Sequence, residues 1–96
     1  MMIVISYDVN TEDRAGQKRL RKVAKICESK GCRVQNSVFE VLVDPGELVT
    51  LKGQLAEVID EEKDSVRFYR LGSNWNGRIE FMGKKTGFEQ DGVIIL

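Results

Sequence analysis

The sequence predicts a single α+β domain of βαββαβ order, and three observations predict it. A β-branched run opens the chain, two later segments space their apolar residues as helices do, and a strand-like run follows each helix. Met2 to Val9 is the first strand. Asn10 to Arg14 is turn and helix-start chemistry. The first helix runs to about Lys30 and stops at Gly31, with Leu20, Val23, Ala24 and Cys27 as its apolar stripe. Arg33 to Val43 is long for one strand, and Asn36-Ser37 offers a turn that splits it into a hairpin. Asp44-Pro45-Gly46 opens the second helix, whose apolar positions are Leu48, Leu51, Leu55, Val58 and Ile59. The acidic cluster Asp60-Glu61-Glu62 closes it as a solvated end, against the helix dipole. Ser65 to Leu71 is a strand and Gly72 to Gly77 a loop. Arg78 to Met82 and Gly92 to Leu96 are two further short strands.

This order is that of the ferredoxin-like fold, one antiparallel sheet with both helices on one face, here with extra C-terminal strands. The chain of 96 residues forms one domain, 1–96. The opposite sheet face needs a cover, and a second copy is the simplest one, which predicts a face-to-face homodimer. The uncharged tail Val93-Ile94-Ile95-Leu96 would be sticky unless paired. The region of about residues 78–96 is therefore expected to pack on the partner protomer.

Composition narrows the chemistry. There is no histidine, which excludes Ser-His and Cys-His nucleophile pairs and imidazole metal ligands. Any metal must be held by oxygen, as Mg²⁺, Mn²⁺ and Ca²⁺ are. Cys27 and Cys32 lack the further ligands that zinc needs. Cys27 falls on the apolar helix face as a packing residue, and Cys32 reads as an ordinary thiol at a loop end. The N-terminus carries no basic leader or cleavage site, and no apolar stretch approaches the about 18 residues that span a membrane. A cytoplasmic protein without disulfides is expected.

The net charge of zero hides a strong asymmetry. Residues 1–13 sum to −3, residues 14–35 to +7, residues 36–64 to −6 and residues 65–96 to +2. The basic segment is a site for a polyanion. On the first helix, Lys18, Arg21, Lys22 and Lys25 form a stripe opposite the apolar one, with Arg14 in line and Arg19 beside it. No acid interrupts the stripe before Glu28, whereas an ordinary solvated face mixes signs. Phosphate contact is the sharper reading.

In the first strand, Ile3, Ile5, Tyr7 and Val9 share one face and Val4, Ser6 and Asp8 the other. If the apolar set faces the helices, Asp8 points to the opposite face at the carboxyl end of the strand. Two such carboxylates would approach across the two-fold axis of a face-to-face dimer and favour a divalent cation near a phosphate. The plainer reading makes Asp8 a turn acceptor, but Asn10, Thr11 and Asp13 compete for that work. In the run Arg33 to Glu40, Phe39 is most simply core, and Ser37 has no basic partner to make it a nucleophile. Arg67 and Arg70 suit phosphate contacts or pairing with acids equally well.

Three segments together carry a family resemblance: Tyr7-Asp8-Val9 closing the first strand, Lys18-Arg19-Leu20-Arg21-Lys22-Val23-Ala24-Lys25 on the helix, and Gly31 followed by Arg33-Val34-Gln35-Asn36-Ser37-Val38-Phe39-Glu40. With Ser65-Val66-Arg67-Phe68-Tyr69-Arg70-Leu71-Gly72, they resemble the second CRISPR-associated adaptation protein family, the small partner of the spacer integrase. The resemblance implies a ferredoxin-like homodimer whose C-terminal strand packs on the partner. It implies that Asp8, paired with its symmetry mate, is the catalytic and metal-binding carboxylate, with Mg²⁺ as the metal and Mn²⁺ as the alternative. Tyr7, Arg33, Ser37 and Phe39, from the matching segments, take supporting places. It further implies a metal-dependent endonuclease acting on double-stranded DNA or single-stranded RNA. The alternative is an architectural dimer that holds duplex DNA by its backbone and bridges integrase subunits. A regulatory module binding a metabolite at a dimer interface is a third class, disfavoured by the basic stripe and by the absence of a glycine-rich binding loop.

Overall fold

The computed structural model describes residues 1–84. Its elements run β1 (Met2–Asp8), α1 (Arg14–Glu28), β2 (Gly31–Gln35), β3 (Val38–Leu42), α2 (Pro45–Val58), β4 (Ser65–Gly72) and a 3-10 turn at Trp75–Arg78. The strands form one antiparallel sheet in the order β2-β3-β1-β4. This is the expected ferredoxin-like arrangement, and the hairpin turns at Asn36-Ser37 as the sequence suggests.

The alternation in β1 sets the layers. Ile3, Ile5, Tyr7 and Val9 are buried with Phe39, Val41 and Val43 of the β3 region. Val23 and Cys27 of α1 and Leu48, Leu51 and Leu55 of α2 complete the same cluster. Burying such side chains contributes about 1.5–3 kcal/mol each, so both helices are held chiefly by these stripes. Cys27 is fully buried, and burial pushes its thiol up to about 11. Cys27 and Cys32 are both free. Met2 is fully buried yet stands outside this cluster, as its even position in the strand requires.

Several boundaries differ from expectation for local reasons. Helix α1 ends at Glu28 with Ser29 as its C-cap, so Gly31 does not stop the helix. Gly31 instead opens β2, where a Cβ would collide with the Glu40 carbonyl and the Val41 side chain. Close backbone approach, not helix termination, demands glycine there. Asp60, Glu61 and Glu62 lie beyond α2 in a turn, where Asp60 accepts from the Glu62 N–H, so they do not oppose the dipole from within. Arg78 to Met82 is not a strand: Arg78 ends the 3-10 turn, and residues 79–84 belong to no ladder among the described residues. The polar-apolar alternation of that segment is strand-like, but a strand exists only where a neighbouring edge pairs with it. The expected strand Gly92–Leu96 lies outside the described residues.

Candidate functional site

Asp8 is the last residue of β1, opposite Ser65 of β4. It is exposed and faces away from the helices, with Ser6 and Val4 on the same side. Around it on that face the ladder places Val38 and Glu40 of β3 and Arg67 and Tyr69 of β4. Arg67 donates to the Tyr69 hydroxyl at 3.1 Å, and Glu40 is buried. No hydrogen bond or ion pair engages the Asp8 carboxylate among the described residues, so it is not consumed as a turn acceptor. That work belongs to its neighbours: Asn10 accepts from the Glu12 N–H at 3.0 Å, and Asp13 caps α1 by accepting from the Gly16 N–H at 2.7 Å.

Helix α1 begins at Arg14, so the whole basic stripe is helical. Lys18, Arg21, Lys22 and Lys25 are exposed and line a depression of about 510 Å³ that extends to Glu28 and Arg33. Arg14 is exposed at the first helical position but does not line it. The Arg33 guanidinium is held by two contacts: it donates to Glu28 at 2.9 Å and lies 5.2 Å from the centre of the Phe39 ring. A cation fixed in this way loses little rotamer freedom when it meets a phosphate.

A second depression of about 420 Å³ adjoins the first and shares Arg21, Ala24 and Arg33 with it. Tyr7, Leu20, Asn36 and Ser37 complete its lining. Tyr7 is nearly buried, stacks on Phe39 with ring centres 6.1 Å apart, and donates its hydroxyl to the Asn36 carbonyl at 3.3 Å. Burial holds its hydroxyl above the usual tyrosine value. Phe39 is fully buried, so it supports Arg33 and Tyr7 from below and offers no face of its own. The supporting residues Tyr7, Arg33, Ser37 and Phe39 thus lie together beside the basic stripe. Asp8 lies on the opposite face of the sheet, next in sequence to Tyr7.

Arg19 does not belong to the exposed basic stripe. Its guanidinium grips Asp64 through Nε at 2.7 Å and Nη2 at 3.3 Å, with side-chain exposures of 16% and 0%. Asp64 also accepts from the backbone N–H of Asn10 at 3.0 Å and of Asp60 at 2.9 Å. The hydrogen bonds from Arg19 hold the Asp64 carboxyl below the usual aspartate value, and the two backbone donors add to this. A position three residues before Lys22 gave no sign of this in the sequence, because the partner lies 45 residues away. Asp64 itself escaped notice as one more charge in an acidic segment.

The comparisons with known proteins agree with this architecture. The family profile described as CRISPR associated protein Cas2 matches residues 1–79. The CRISPR-associated endoribonuclease Cas2 of Chlorobaculum tepidum is 50% identical over 96 residues, covering all of both chains. The CRISPR-associated endonuclease Cas2 of Halalkalibacterium halodurans is 50% identical over 95 residues, 99% of each chain. Among solved structures, that of Streptococcus pyogenes Cas2 at pH 6.5 superposes with a TM-score of 0.77 at 58% identity, over 86% of this chain and 100% of that one. This is the family that the sequence motifs resemble, and the chain belongs to it: the CRISPR-associated Cas2 proteins.

Proposed function

We propose that this chain is an endonuclease of CRISPR adaptation, hydrolysing phosphodiester bonds with Asp8 as its catalytic carboxylate. The observation that carries the reading is the Asp8 side chain itself, exposed at a strand end and free of any structural partner among the described residues. The names of these relatives, endoribonuclease and endonuclease, support the reaction class and leave both RNA and DNA as substrates. Lys18, Arg21, Lys22 and Lys25 hold the nucleic-acid backbone, with Arg33 at the end of their groove.

Among the described residues no three acidic, cysteine or histidine side chains come together, so one chain offers Asp8 without a cluster of further ligands. Mg²⁺ suits such a sparse site, because it retains most of its waters and takes one or two carboxylates. Two Asp8 side chains facing each other across a homodimer axis would hold it. When bound, the cation would neutralise charge developing on the phosphate. The exposed Leu42 and Tyr69 on the same sheet face suit its pairing with a second copy. The spacer integrase is the further partner of this dimer.

The test is cleavage of labelled duplex DNA and of single-stranded RNA, with and without Mg²⁺, by wild type and Asp8→Asn. The expected result is cleavage that needs both the metal and Asp8, with binding unchanged in the variant. Duplex binding without any cleavage by the wild type would overturn the reading in favour of an architectural dimer.

A further inference from the structure

The buried Asp64 reaches both sides of Asp8. Its Oδ1 accepts from the N–H of Asn10, two residues beyond Asp8 as the chain leaves β1. Its own backbone leads directly into Ser65, which pairs with Asp8 in the ladder. Oδ2 binds the N–H of Asp60 and so closes the turn between α2 and β4. Arg19 clamps both oxygens from α1 and also reaches the Asn10 carbonyl at 3.5 Å. Gly16 is packed so closely on that carbonyl that a Cβ there would collide with it. One carboxylate therefore ties together the chain leaving β1, the chain entering β4 and the first helix.

We infer that Asp64, with Arg19, is a positioning residue that fixes Asp8 for catalysis. The inference rests on the reading of Asp8 as the catalytic carboxylate. An exposed aspartate at the end of a strand has freedom in both backbone and side chain, and a carboxylate that must meet a phosphate needs its backbone held. The clasp supplies this restraint from the helix side and leaves the Asp8 side chain exposed. No hydrogen bond joins it to Lys18, Arg21, Lys22 or Lys25 among the described residues, so its loss is expected to lower turnover far more than binding.

The experiment compares the full-length wild type with Asp8→Asn, Asp64→Asn and Arg19→Lys, and with Leu55→Ala as a core variant of lowered melting temperature. Cleavage rates at saturating substrate with Mg²⁺, dissociation constants without it, and exchange of the Asn10 amide are measured for each. The expected result is an inactive Asp8→Asn, and Asp64→Asn and Arg19→Lys variants that bind within about twofold of wild type but cleave about tenfold or more slowly. Their Asn10 amide exchanges faster while the Ile3 and Ile5 amides do not change. Wild-type cleavage by a folded Asp64→Asn, beside an inactive Asp8→Asn, would overturn the inference and leave the Asp8 reading standing. A rate loss no greater than that of Leu55→Ala would also overturn it, because the clasp would then be merely structural. If Asp64→Asn does not fold, Arg19→Lys decides by the same criteria. Full activity in Asp8→Asn would remove the underlying reading and this inference with it.

Discussion

The two helices lie on the same sheet face and have nearly the same length, yet they are built on different terms. Helix α2 is optimised for its own stability. Asp44 and Glu47 form a complete capping box at 2.7 and 3.0 Å, Pro45 sits at the first position, and acid occupies the first turn, where the helix dipole favours it. Helix α1 begins with Arg14 and has no acid in its first turn. Its third position is Gly16, which the Asn10 carbonyl keeps free of a side chain, so a capping box cannot form there. Unbroken positive charge along its exposed face adds like-charge repulsion. Folding would favour the α2 pattern for both. The excess cations of α1 do nothing for the fold, and a polyanion is the partner that such a stripe suits under the proposed function.

This contrast can be broken most directly by removing charge. Changing Lys18, Arg21 and Lys22 together to Ala is expected to weaken nucleic-acid binding by about tenfold or more at low salt. The dependence of log affinity on log salt should become shallower by about two to three. Lys52→Ala on α2, whose ammonium lies over the Phe68 ring, should leave both quantities near wild type. Equal losses from the two helices would erase the distinction.

Acid titration sharpens the contrast at the base of α1. The folded-state value of Asp64 is depressed, principally by hydrogen bonds from Arg19. The stability it contributes is therefore fully present above the unfolded value of about 4 and is lost as pH falls through the lower folded value. Melting temperatures of wild type should hold down to about pH 5 and then decline, and the decline should be shallower in Asp64→Asn. An identical acid profile in the two proteins would argue against this origin.

The smallest effect expected is a trade-off. Arg14→Glu places an acid in the first turn of α1 and should stabilise the protein by about 0.3–1 kcal/mol in thermal or denaturant unfolding. The same change should weaken binding of nucleic acid. Stabilisation without weaker binding would mean that Arg14, which lies outside the groove lining, takes no part in the stripe.

Much of this protein was legible in its order of residues, because the relevant signals are local. The period of two in Met2–Asp8 assigns Asp8 to the face away from the helices. The period of 3.6 in α1 separates Val23 and Cys27 from the cations, and Asn36-Ser37 marks the hairpin. What tertiary structure alone decided involves groups far apart in sequence. Arg19 looks like a further cation of the stripe until Asp64 meets it, and Gly31 looks like a helix stop until β3 packs on it. Arg78 to Met82 alternates like a strand but finds no pairing edge among the described residues. Side-chain periodicity is a property of the chain itself, whereas ion pairs, close backbone approach and strand pairing exist only when two distant segments are brought together.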